Sequence, residues 1–165
     1  MSKKVIIIIA AIVVVVAVAA VFIFAGKGEK NVEGTLEEIM AKVYEGIPEE
    51  NLPTMLGNIQ IDSENVEGFL GTTEVSYKEA LAKEPMISSI PHSVVLVRLN
   101  DAKDAEAAVE KIKASVNPRK WICVEASNVV VKSKGDLVIL IMADTEMTTE
   151  EEAIAPKLEA NFDNL

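Results

Sequence analysis

The sequence predicts an α+β protein: one N-terminal transmembrane helix followed by a single domain with a mainly antiparallel sheet and helices packed on one side. Three observations carry this reading. An uncharged apolar run extends from Val5 to Ala25, a strand pattern at 92–99 leads directly into a helix pattern at 101–116, and three strand patterns follow between Lys120 and Ala143.

The first run holds 21 residues with no charge, proline or glycine. As a helix it spans about 31 Å, the thickness of a bilayer's hydrocarbon core. Its Ile and Val residues favour a strand in water, but a lone strand in lipid leaves its backbone polar groups unpaired, and a helix does not. The rival reading is a secretory signal peptide, because Ala17-Val18-Ala19 has the small-x-small form of a cleavage site. Cleavage there would leave an apolar start at Ala20, and the run exceeds the usual apolar region of about 7 to 15 residues. The expectation is therefore an uncleaved anchor, which makes the membrane itself a partner through Val5 to Ala25. Lys3 and Lys4 face Lys27 and Lys30 across it, so lysine nearly ties. The short basic tail, residues 1–4, is assigned to the cytoplasm, which puts the rest of a single-pass protein outside the cell membrane.

Residues 26–34, GKGEKNVEG, are polar and contain three glycines, the composition of a flexible tether. Residues 35–165 are then one extracytoplasmic α+β domain, long enough to close its own core. Thirteen of the 16 basic residues and all 26 acidic ones lie after Lys27, a net charge of −13. Such a surface argues against nucleic acid, whose binding needs basic residues to displace counterions, and against anionic lipid. The single cysteine, Cys123, can form no internal disulfide, so packing alone must hold the domain.

Thr35 and Glu38 have capping-box spacing, and Leu36, Ile39, Met40 and Val43 recur at helical intervals before Gly46. The stretch 47–62, punctuated by Pro48, Pro53 and Gly57, reads as mostly irregular. DSENVEGFLG reads as one or two helical turns stopped by Gly71, and 75–90 fits neither period, because Pro85 interrupts its helical pattern. HSVVLVRL is nearly continuous in apolar residues, as expected of a central strand covered on both faces. Ala105, Val109, Ile112 and Val116 form one helical stripe that Asn117-Pro118 ends. KWICVEA, NVVVKS and DLVILIMA are strand candidates, the last two joined at Lys134-Gly135 where glycine supplies a positive φ. In the tail, Thr149 and Glu152 form a second capping box, Ile154, Leu158, Phe162 and Leu165 share one face, and Pro156 should kink or restart the helix.

Little in the pattern points to chemistry. His92, the one histidine, follows Pro91 and reads as a loop or edge residue; a Cys-His pair with Cys123 has no local support. Cys123 reads as a small buried hydrophobe. One His and one Cys do not make a zinc site, and the run Glu150 to Glu152 lacks the alternating ligands and central glycine of a calcium loop. No phosphate loop or nucleophile elbow is present, so no catalytic, metal or cofactor residue is assigned. Trp121 is the candidate for a binding surface. Alternation in KWICVEA puts it on a face with Cys123 and Glu125, and the expectation is that most of it is buried under the helix of 101–116.

The strings EPMISSIPHSVVLVRL, NPRKWICVEASNVVV and GDLVILIM resemble a family of small membrane-anchored conserved hypothetical proteins of unknown function from Gram-positive, Clostridia-type bacteria, with PRKWICVE the most specific part. The likeness covers most of 44–143. It implies a cell-envelope α+β domain behind one membrane helix, and it supplies no catalytic residue. The functional expectation is a non-catalytic binding or assembly module with an envelope protein or ligand as partner; the alternative is an envelope hydrolase using scattered carboxylates.

Overall fold

The computed structural model describes residues 30–87, 90–121, 123–143 and 154–165. The anchor of 5–25, its tail, and the capping box at Thr149 and Glu152 lie outside the described residues. Among those described, no helix is long and apolar enough to cross a membrane.

Five strands, β1 (Leu56–Ile61), β2 (Tyr77–Pro85), β3 (His92–Leu99), β4 (Asn128–Lys134) and β5 (Leu137–Ala143), form one sheet in the order β1-β2-β3-β5-β4. Every neighbouring pair is antiparallel. The helices are α1 (Leu36–Val43), α2 (Val66–Leu70), α3 (Ala105–Ser115) and α4 (Ile154–Asp163). β3 is central, as its apolar run requires, and all eight of its residues are buried.

The helices do not share one side of the sheet. Val95, Val97 and Leu99 of β3 and Val138, Leu140 and Met142 of β5 point to a core completed by α2 and α3. Val94 and Leu96, with Leu137, Ile139 and Ile141, point the other way, to a core completed by α1 and α4. The expectation of helices on one side is corrected to a three-layer arrangement. Strands apolar at consecutive positions expose a hydrophobic surface on each face, and each must be covered.

Local signals place most of the remaining pieces. The capping box at the start of α1 forms in both directions: Glu38 N donates to Thr35 Oγ1 at 3.2 Å, and Thr35 N to Glu38 Oε2 at 2.9 Å. Gly71 ends α2 at φ +72°, and a Cβ there would lie 2.1 Å from the Ser115 carbonyl oxygen, so glycine lets α2 close on the end of α3. Gly135 turns β4 into β5 at φ +56°. Pro156 is the third described residue of α4, within its first described turn.

Two expectations fail, and one open stretch is decided, for tertiary reasons. The mostly irregular reading of 47–62 misses β1, and the stretch 75–90, which fits neither period, contains β2: β2 pairs along one edge with the apolar β3, and its other edge takes β1. KWICVEA, in contrast, forms no strand among its described residues. Asn117 Oδ1 accepts from Arg119 N at 3.0 Å, Asn117 O from Lys120 N at 3.2 Å, and Pro118 O from Ala126 N at 2.9 Å. These bonds turn the segment back on itself, and the place beside β3 that it could have filled belongs to β5.

The stretch expected as a free tether is docked in its described part, from Lys30 to Gly34. Val32 is buried in the α1–α4 core, and Arg98, 8% exposed, fastens the backbone around it. Arg98 Nη1 donates to Val32 O at 2.8 Å and Nη2 to Gly34 O at 2.8 Å, while Nε reaches Glu79 Oε1 at 2.9 Å and Nη1 also reaches Asp136 Oδ2 at 3.2 Å. A protein beginning at Lys30 should therefore unfold cooperatively in urea and exceed one beginning at Gly34 by about 2 kcal/mol, the order expected for burying one valine. Equal stabilities would mean that the docked segment contributes nothing.

Candidate functional site

Each sequence-level candidate has a definite place, and the structure does not gather them. Trp121 is half-buried against the α2–α3 core rather than fully covered, since its segment is a loop and not a strand. The Lys120 ammonium lies 4.5 Å from the Phe69 ring centroid and 5.4 Å from that of Trp121, and it also pairs with Glu84. Cys123 is exposed, which corrects its reading as a buried hydrophobe: it belongs to a loop rather than to the strand expected of KWICVEA.

His92 is neither a loop nor an edge residue. It is the first residue of β3, 1% exposed, opposite Ala143 of β5. Its Nε2 lies 2.6 Å from the Tyr44 hydroxyl at the end of α1, and the Lys83 ammonium stands 4.5 Å from the centre of the Tyr44 ring. Burial, with Lys83 adding, lowers the His92 pKa to about 4, while burial pushes the Tyr44 hydroxyl far above its ordinary range, helped by the Glu84 charge. A neutral imidazole therefore faces a protonated hydroxyl, and Nε2 is assigned as the acceptor.

That arrangement holds structure rather than preparing a nucleophile. Ser93 adjoins His92 in sequence, but strand alternation sends its hydroxyl to the opposite face, where it is buried without a hydrogen-bond partner. Cys123 belongs to the loop that rests on that opposite face through Trp121 and Ala126, so no Cys-His pair forms. Among the described residues no three His, Cys, Asp or Glu side chains gather closely enough to hold a metal, and Glu150 to Glu152 lie outside them.

A different feature emerges at the His92 end of the sheet. A cavity of about 190 Å³ is lined by Glu50, Leu52, Pro53, Pro91, His92 and Ile154 among others. Near it in the chain are three of the four large apolar side chains that the described fold leaves exposed, Met55 at 61%, Met86 at 59% and Ile87 at 73%; the fourth, Val129 at 40%, is on β4. Met86 N donates to Met55 O at 3.0 Å, and Met86 covers Gly57 so closely that a Cβ there would lie 2.7 Å from its sulfur. Met55 holds a left-handed backbone, φ 58°, at a cost of about 1 to 2 kcal/mol for a residue with a Cβ. Sequence reasoning missed this cluster because Met55 and Met86 are 31 positions apart, and only the β1–β2 pairing, Leu56 opposite Pro85, makes them neighbours.

The cluster is polar in position. Arg98 and the docked segment sit at one end of β3 and His92 at the other, about 20 Å away at the rise of an extended strand. The methionine-bearing end thus faces away from the point where the N-terminal chain joins the domain. No family model, curated protein or solved structure matches the chain.

Two outcomes follow from this geometry. His92 stabilises the fold in its neutral form: the contribution is complete above the ordinary histidine value of 6.5 and is lost as pH falls towards about 4, when the unfolded chain takes up a proton that the folded one refuses. The loss between pH 7 and 4.5 should be about 2 to 3 kcal/mol. Urea midpoints of the protein and of His92→Leu at both pH values isolate it, since the carboxylates are common to both; parallel pH dependences would refute it. Trp121→Ala should cost only about 1 to 2 kcal/mol, in proportion to its half-burial, against the roughly 3 to 5 kcal/mol of a fully buried aromatic. A loss in the larger range by urea unfolding would place the ring in the core.

Proposed function

We propose that the chain is a single-pass protein of the cell membrane, N-terminus cytoplasmic, whose extracytoplasmic α+β domain is a non-catalytic binding or assembly module of the envelope. The anchor rests on the composition of residues 5–25, and the likeness at PRKWICVE to small anchored envelope proteins agrees with it. One observation carries the binding reading. Met55, Met86 and Ile87 leave an apolar cluster in water beside a cavity, at the end of the domain opposite the docked segment. Apolar side chains grouped on a surface mark contact sites more often than isolated ones do, and methionine adapts its shape to a partner. An envelope hydrolase would call for converging acids, and among the described residues the cavity's carboxylate comes from Glu50 alone, while His92 is engaged with Tyr44.

Protease added to intact protoplasts should remove the domain, and a soluble form beginning near Ala20 would refute the anchor. In the same cells a photo-crosslinker at Thr54, beside the cluster, should capture a defined partner that a crosslinker at Lys103 does not. Met86→Glu with Ile87→Glu should abolish that adduct. Identical adducts at both positions, or an adduct indifferent to the two glutamates, would sink the binding reading.

A further inference from the structure

The two edges of the sheet are treated differently. On β4, the Lys132 ammonium reaches Glu159 and Asp163 of α4, and Lys134 donates to the Asp163 carbonyl at 2.6 Å, so charged side chains guard the second half of that edge, while Val129 in its first half is exposed. β1, Leu56-Gly57-Asn58-Ile59-Gln60-Ile61, has neither a charge nor a proline, the devices that ordinarily prevent an edge from pairing. Among the described residues no strand pairs with its outer side. Closure is confined to its far end, where Asn65 Nδ2 donates to the Gln60 carbonyl at 3.1 Å.

Charge around β1 is one-sided. From Val43 to Tyr77 the chain has seven acidic residues and no Lys, Arg or His. Glu49 and Glu50 precede the strand, Asp62, Glu64 and Glu67 follow it, and all five are exposed. The basic residues of the adjoining strand are Lys78 and Lys83, the second drawn over the Tyr44 ring. An uncharged edge set between acidic flanks suits a partner whose backbone pairs with the strand and whose ends are positive.

We infer that β1 takes an extended, basic segment of a partner protein as a sixth strand, with an apolar side chain of that segment seated on Met55 and Met86. The inference rests on the binding-module reading and names the partner's chemistry. A second copy of this chain is the poorer occupant, because pairing β1 with itself would bring the same acidic flanks together.

The test uses the full chain in non-ionic detergent and two synthetic peptides of about ten residues, long enough to cover one strand. One alternates Lys and Val, the other Glu and Val. The Lys-Val peptide should bind, weaken as salt is raised, and slow amide exchange at residues 56–60, while the Glu-Val peptide should not bind. Asn58→Lys with Gln60→Lys, at an unchanged urea midpoint, should weaken binding at least about tenfold by placing like charges on the edge. Equal binding of both peptides, protection elsewhere than β1, unaltered affinity in the double variant, or a β1-dependent dimer would overturn the inference. If the Lys-Val peptide fails while the crosslink at Thr54 persists, the edge is not the contact and the binding module stands; loss of both would remove both.

Discussion

β3 is apolar from Val94 to Val97 and at Leu99, and β5 is apolar throughout, so together they offer a hydrophobic surface to each side of the sheet, and the rest of the domain is arranged to cover both. Their register sets the two cores: Val95 lies opposite Leu140 and Val97 opposite Val138 on one face, while Val94 meets Ile141 and Leu96 meets Ile139 on the other. One layer of helices could have dried only half of these side chains. The first face is closed by α2 and α3, and the second by α1 and α4, whose mutual position is held by Asn161 donating to the carbonyls of Val43 and Glu45 at the end of α1. The small residues Ala80 and Ala82 on β2 fit the same scheme, since they lie fully buried in the α2–α3 core.

The few polar groups taken into this interior work as fasteners. Arg98 sits near the end of β3, where two carboxylates and two backbone carbonyls satisfy its guanidinium, while Asp136 Oδ1 is left buried without a partner. Burying a charge is tolerable only when it is paired and hydrogen-bonded. Here the pairing also orders the segment that enters the domain from the N-terminal side. At the other end of the strand His92 and Tyr44 join β3 to α1 through one short hydrogen bond between neutral groups. The domain consequently has two unlike poles. One is closed by an ionic clamp on its own chain, and the other carries exposed methionines, a cavity and the start of an unguarded edge strand.

The proposed binding function rests on that asymmetry rather than on any single titratable group. The one histidine is buried and neutral, the one cysteine is exposed with no histidine beside it, and the tryptophan is shared between the core and water. On the proposed binding reading, such a surface would recognise by shape, apolar contact and backbone pairing, with long-range charge selecting partners of opposite sign.

What the sequence by itself determined was local or composition-driven. The capping box of Thr35 and Glu38, the stops at Gly71 and Gly135, the stripe of α3 and the central position of β3 were all legible, because each depends on residues a few positions apart. The strands β1 and β2 were not, nor was the loop at KWICVEA. LGNIQI has weak strand propensity and becomes a strand through pairing with β2; KWICVEA has strong propensity and no strand to pair with, since β5 fills the place beside β3. The same cause hid the candidate site. Met55 joins Met86, Tyr44 meets His92, and Arg98 gathers Glu79, Asp136 and the Val32 carbonyl only after the sheet has formed, and periodicity cannot report contacts between segments that distant in sequence. Helices on both faces were, however, implicit in the apolar continuity of β3 and β5, because a strand without a polar side has no face that water can cover.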